Sequence, residues 1–174
     1  MSNISELVSH RFATILDIDI IVKGVLEILF LEENKTCFFS EDKKQEQLNL
    51  IHNAINNKTI IVAENSNNND VHDVHDDHDV IGFIWFNITN KSFYGLDYGN
   101  LETNYMFISY VWVIETSRDK GIATYLYDQV ITYAKEKNIK KIWLDIYMSN
   151  ENSIHFHNKL GFQPQITLYS KDLN

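Results

Sequence analysis

Two spacings of apolar residues alternate along the chain. A recurrence at every third or fourth position predicts an amphipathic helix, and a continuous or alternating run predicts a strand. Residues 11–16 alternate loosely and predict a first strand; Asp17 then caps a helix with Ile18, Ile21, Val22, Val25, Ile28 and Leu29 on one face. After a loop at 34–40, residues 41–57 predict a more polar helix with Leu48, Ile51 and Ile55 on its buried side. The β-branched run 59–63 and the longer run 80–88 predict a hairpin. A continuous apolar stretch at 106–114 predicts a buried strand, and 122–137 a helix with Ile122, Leu126, Val130 and Ala134 at successive fourth positions. Lys135 and Lys137 suit the last turn of that helix, and Asn138 can take the left-handed stop. Residues 141–147 predict another strand, Ser149 or Asn150 opens a helix that Gly161 ends, and a last strand is expected at about 165–169. Strands that alternate with helices after a hairpin predict a mixed α/β sheet.

Two stretches interrupt this pattern. Residues 65–79 are rich in Asn, Asp and His, and repeat Val71-His72-Asp73 as Val74-His75-Asp76. Such a segment buries too little apolar surface to offset the entropy of ordering it, so it is expected to be a disordered insertion in the hairpin. Its His72, His75 and His78 have no preformed metal geometry at three-residue spacing, and no metal is expected. Residues 89–103 form a second loop, broken by Gly95 and Gly99; its Phe93, Tyr94 and Tyr98 suit either the wall of a cleft or packing against the sheet.

Composition adds limits. A chain of 174 residues with 44% apolar content can bury one substantial core, so a single domain over 1–174 is expected. No apolar run is long enough to cross a bilayer, and the first residues lack the basic start and apolar centre of a signal peptide, which predicts a soluble protein. One cysteine, Cys37, allows no internal disulfide and suits a reducing compartment, cytoplasmic with the nucleus left open. The net charge of −9 argues against nucleic-acid binding. It is weak evidence for a cationic substrate, because Asp70, Asp73, Asp76, Asp77 and Asp79 of the insertion supply more than half of it.

The chemistry concentrates in residues 105–162. Glu115-Thr116-Ser117-Arg118-Asp119-Lys120-Gly121-Ile122 joins a strand to a helix. A helix start leaves about four backbone N–H groups unpaired and carries partial positive charge, which suits a phosphate. Arg118 and Lys120 add charge, and Gly121 allows close approach. On these residues alone an ordinary exposed turn is an equal alternative.

Arg118-x-x-Gly121-x-Ala123 resembles the acyl-CoA pyrophosphate loop of the GNAT N-acetyltransferase superfamily, and 150–162 resembles that superfamily's second signature, from Asn150 to Gly161-Phe162, without a gap. The order and separation of the two motifs strengthen the resemblance. It implies an acyl-CoA N-acyltransferase fold, with a mostly antiparallel central sheet flanked by helices and acyl-CoA lying where the strands ending near Val113 and Tyr147 splay apart. The implied reaction is acetyl transfer from acetyl-CoA, as co-substrate, to a primary amine of a small molecule or protein. The helix pair at 18–57 would close one side of the acceptor site; its His52 is expected to be a surface residue. A catalytically silent CoA-binding module is the alternative, and a homodimer stays open.

In the resemblance, the backbone of Val111 and Val113 meets the pantetheine and carbonyl. Arg118, Asp119, Lys120, Gly121, Ile122, Ala123 and Thr124 cradle the pyrophosphate, and Asn150 bonds the CoA arm. His157 stands where the superfamily usually has the tyrosine that protonates the leaving thiolate, so it is expected either to be that acid, bringing its own titration into the working range, or to pack against the cofactor. The general base is not evident. Phe107, Ser109 and Val111 occupy the line where the superfamily often carries one, and Asp145 is preferred over Glu102 and Glu115 among the nearby acids.

Overall fold

The computed structural model describes residues 7–32, 41–66, 80–90, 104–169 and 171. Among these described residues five strands form one sheet in sequence order: β1 (Val8–Phe12), β2 (Ile60–Asn65), β3 (Val80–Thr89), β4 (Tyr105–Val113) and β5 (Ile142–Leu144). Neighbours are antiparallel except β4 and β5, which are parallel. Four α-helices among the described residues accompany them: α1 (Ile18–Glu32), α2 (Glu41–Asn56), α3 (Ile122–Glu136) and α4 (Glu151–Lys159).

The sheet is covered on both sides, which explains the continuous apolar runs of its central strands. Ile61, Ala63, Ile84, Phe86, Met106 and Ile108 pack with Leu126, Tyr127 and Val130 of α3. Ile60, Val62, Phe83, Trp85 and Trp112 pack on the other side with Ile21 and Val25 of α1 and Ile51 of α2. At Gly24, α1 comes so close to the sheet that a Cβ would lie 2.5 Å from Phe83 Cε1 and 2.8 Å from the Trp112 ring.

The expected hairpin of β2 and β3 forms, and α2 and α3 end within one residue of expectation. Three strands depart further from expectation. The first strand lies earlier, at Val8–Phe12, because Asp17 accepts hydrogen bonds from the Thr14 N–H (2.7 Å) and the Arg11 guanidinium (2.7 and 2.8 Å), which turns Ile15–Asp17 into a 3₁₀ turn. Asp17 thus acts in the turn ahead of α1. The strand expected at 141–147 pairs only over Ile142–Leu144. No strand forms at 165–169: Ile166, Leu168 and Tyr169 are exposed, and alternation without a partner does not make a strand. The loops expected at 34–40 and around 93–98, with Phe93, Tyr94 and Tyr98, Cys37, Glu102, and residues 67–79 with their histidines, lie outside the described residues. No described helix is long and apolar enough to cross a membrane.

Candidate active site

The parallel pairing of β5 with β4 stops at a bulge, on the side where the gap between the strands is expected. Trp85 pairs with Tyr110 and Phe86 with Ile108, so Ser109 is an extra residue in β4. An extra residue bends its strand and locally disrupts the ladder. β5 pairs with β4 only up to Ile108↔Leu144, while β4 runs on to Val113, so beyond the bulge its far edge has no strand partner among the described residues. The bulge also breaks the side-chain alternation. Met106 and Ile108 face α3 before it and Val111 and Val113 face the same side after it, so Phe107, Ser109 and Val111 do not share one line as expected.

Backbone direction follows from the next pair. Ile114 N–H donates to Ile81 C=O at 2.9 Å, toward β3, and alternation then turns the peptide groups of Val111 and Val113 away from β3. The Val113 carbonyl is already engaged, accepting from Arg118 Nε at 3.0 Å.

After Val113 the chain makes a 3₁₀ turn at Glu115–Ser117 and reaches α3 through Arg118, Asp119, Lys120 and Gly121, all exposed. Asp119 has φ 59° and Gly121 φ 85°, both left-handed. Glycine takes that conformation freely, whereas a residue with a Cβ does so at a cost. Gly121 is the N-cap of α3, with no side-chain cap and no acidic residue in the first turn. The first bond of the helix, Tyr125 N–H to Gly121 C=O (2.9 Å), leaves the amides before Tyr125 at an open helix start. Ile122 is buried, Ala123 half-buried and Thr124 exposed. This end is suited to an anion, with Arg118 and Lys120 as its cations.

Glu27, on α1, accepts from Trp112 Nε1 at 2.7 Å and lies 3.6 Å from Arg118 Nη2. It also helps line a groove of about 510 Å³ along α1 with Asp19, Val22, Lys23, Leu26 and Phe30. His52 is exposed on α2, as expected.

Across the gap, Asn150 is the N-cap of α4 and its Oδ1 accepts from Ser153 N–H at 3.1 Å. The donors of its side-chain Nδ2 are not consumed by that bond. Asp145 is exposed one residue beyond β5, and Glu115 is exposed on the 3₁₀ turn.

His157 is buried, 8% exposed, with both ring nitrogens occupied. Nε2 lies 2.6 Å from the Tyr127 hydroxyl and Nδ1 2.7 Å from the Ser153 carbonyl, with Ser153 Oγ at 3.3 Å. Burial lowers the His157 pKa, against an opposing pull from the Ser153 carbonyl, and burial raises that of Tyr127. Protonating the thiolate from His157 would require giving up one of these bonds. Tyr127 and Glu27 were not evident in the sequence: the first is a tyrosine on an otherwise aliphatic helix face, the second a carboxylate on a distant helix. Among the described residues no three His, Cys, Asp or Glu are grouped to hold a metal.

The model of the Acetyltransferase (GNAT) family matches residues 28–162. Solved structures give the same fold. A tetramutant of the BH1408 protein from Bacillus halodurans aligns at TM-score 0.71 with 20% identity, covering 95% of this chain and 99% of that one. A predicted acetyltransferase from Clostridium acetobutylicum, determined with acetyl-CoA, aligns at 0.68 with 22% identity and coverages of 95% and 96%. An aminoglycoside 6'-N-acetyltransferase from Acinetobacter haemolyticus aligns at 0.56 with 20% identity and coverages of 95% and 99%. At such identities the structural likeness speaks for the fold alone.

Proposed function

Since the chain belongs to the GNAT acetyltransferase family, we propose that it moves an acetyl group from acetyl-CoA to a primary amine by direct attack within a ternary complex. The observation that carries this reading is the β4–α3 junction: an uncapped helix start on a left-handed glycine, with Arg118 and Lys120 beside it, at the end of the strand edge that β5 leaves open. The pyrophosphate sits on the amides of Gly121, Ile122, Ala123 and Thr124. Pantetheine runs along β4 past the peptide groups of Val111 and the Val113 N–H, which point away from β3, and Asn150 Nδ2 holds the arm from the other side.

In the reaction the amine lone pair forms a C–N bond to the thioester carbon, the tetrahedral oxyanion takes a β4 amide, and the C–S bond breaks. The amine loses a proton and the thiolate gains one. Asp145, exposed where β5 ends, is the candidate base, directly or through water. The solved structure with acetyl-CoA and the aminoglycoside acetyltransferase among the structural neighbours fit this reading, and the acceptor is assigned here only as an amine.

A catalytically silent CoA-binding module is the second reading, favoured by the engagement of both His157 nitrogens. Incubation with acetyl-CoA and a panel of amines, following free CoA thiol, separates the two. Amine-dependent thiol release supports the enzyme; tight acetyl-CoA binding without release for any small amine, peptide N-terminus or lysine peptide supports the silent module.

A further inference from the structure

We propose that Tyr127 and His157 form a buried clasp between α3 and α4 that fixes the separation of the two helix starts offered to the cofactor, and that both are positioning residues. This rests on the cofactor site proposed above. A carbonyl can only accept, so the 2.7 Å contact with Ser153 C=O puts the proton on His157 Nδ1. The neutral ring then presents a lone pair at Nε2, and Tyr127 O–H donates to it across 2.6 Å. A second proton on Nε2 would face the hydroxyl that now donates to it, and Tyr127 would have to turn its own proton elsewhere in a fully buried site. Among the described residues, the groups in hydrogen-bond or ring contact with His157 are Tyr127 from α3, Ser153 and Phe156 from α4, and Phe162 just beyond; none of them is charged.

The bonds run on to both halves of the site. Ser153, whose carbonyl holds His157, gives its own N–H to the Asn150 side chain that caps α4. Tyr127 stands in α3 about one and a half turns after Ile122, where the pyrophosphate loop ends. Asn150 and Gly121 are therefore joined through one line of hydrogen bonds and two helix backbones. With its N–H directed into its own helix, His157 places rather than protonates. Its loss should cost cofactor affinity instead of the chemical step.

The test compares the parent with Tyr127→Phe, His157→Phe and the double variant. Each single change should weaken acetyl-CoA binding severalfold, up to about tenfold, the ceiling that one hydrogen bond of ordinary net worth sets on a loss of preorganisation. The double variant should be no weaker than the singles, kcat at saturation should stay within a few-fold, and its pH profile should keep its shape. ¹⁵N NMR should show His157 as the Nδ1–H tautomer from pH 6 to 8. A drop of a hundredfold or more in kcat for His157→Phe with unchanged affinity would overturn the proposal in favour of an acid, as would additive losses or an imidazolium at neutral pH. Tyr127→Phe removes one oxygen and keeps the ring, so it guards against the failure of a harsher variant to fold. If the parent binds no acetyl-CoA, the cofactor reading fails by itself. The clasp is then tested by the same cycle in thermal stability, where coupling supports it and additivity overturns it.

Discussion

The two strand-to-helix junctions that flank the gap are built in opposite ways. After β5, α4 begins on Asn150, whose side chain caps Ser153 N–H, and Glu151 lies in the first turn. After β4, α3 begins on a left-handed glycine with neither a side-chain cap nor a first-turn carboxylate. A helix start with its own oxygen and its own negative charge has answered its dipole, whereas one with neither keeps its amides and partial charge for a ligand. Under the proposed function, the two neighbouring helices divide the work, α3 taking the anion and α4 the side-chain amide contact.

The largest loss is expected at Gly121. Gly121→Glu forces a Cβ into φ 85° and sets a carboxylate where the phosphate belongs, so acetyl-CoA affinity should fall by about a hundredfold or more. Calorimetric titration of the folded variant measures this; affinity within a few-fold of the parent would remove the junction from the site. Asn150→Ala probes the other side and should do less. It deletes the cap, at about 1 kcal/mol of stability, and the amide contact, at roughly tenfold in acetyl-CoA affinity. A melt and a titration on the same sample separate the two losses. An Asn150→Ala variant weaker in binding than the Gly121 variant would reverse the division of work.

How much of this was legible depends on how local the cause is. Gly121, Asn150 and Gly161 are local devices of turn and cap: the sequence places the two glycines at a helix start and a helix end, and leaves Ser149 and Asn150 as alternatives that the structure decides for Asn150. The end of the β4–β5 pairing was less legible, because it falls at the Ser109 bulge, which exists only in the pairing of β4 with β3. No periodicity along β4 could show that Val111 and Phe107 lie on different lines. The same holds for β1, read late because Arg11, Thr14 and Asp17 engage one another across a turn, and for the unformed strand at 165–169. Tyr127 escaped notice for a related reason: its meaning comes from His157 thirty residues away in sequence.

Acidity gives a smaller effect. Burial lowers the His157 pKa in the fold, so at acid pH the unfolded chain binds a proton that the folded chain resists. The stability this group allows is fully present above its ordinary value of about 6.5 and is lost as pH falls below it. His157→Phe should flatten that part of the curve of Tm against pH between about 7 and 5. An unchanged slope would show that the ring takes up its proton without cost and that α4 is not held by a neutral histidine.

The smallest expected effect concerns the insertion. Its composition predicts that it takes no part in either junction, so removing residues 67–77 should leave Tm nearly unchanged and acetyl-CoA affinity within about twofold. A large fall in either would mean that the division of work between α3 and α4 is incomplete.

Whether the open start of α3 receives the cofactor's phosphates is read from backbone amide NMR during an acetyl-CoA titration. The largest saturable shifts should fall on the amides of Gly121, Ile122, Ala123 and Thr124, with smaller ones at Val111, Val113 and the Asn150 side chain. Saturable binding that leaves those four amides unmoved and shifts residues elsewhere would contradict this assignment of the phosphates.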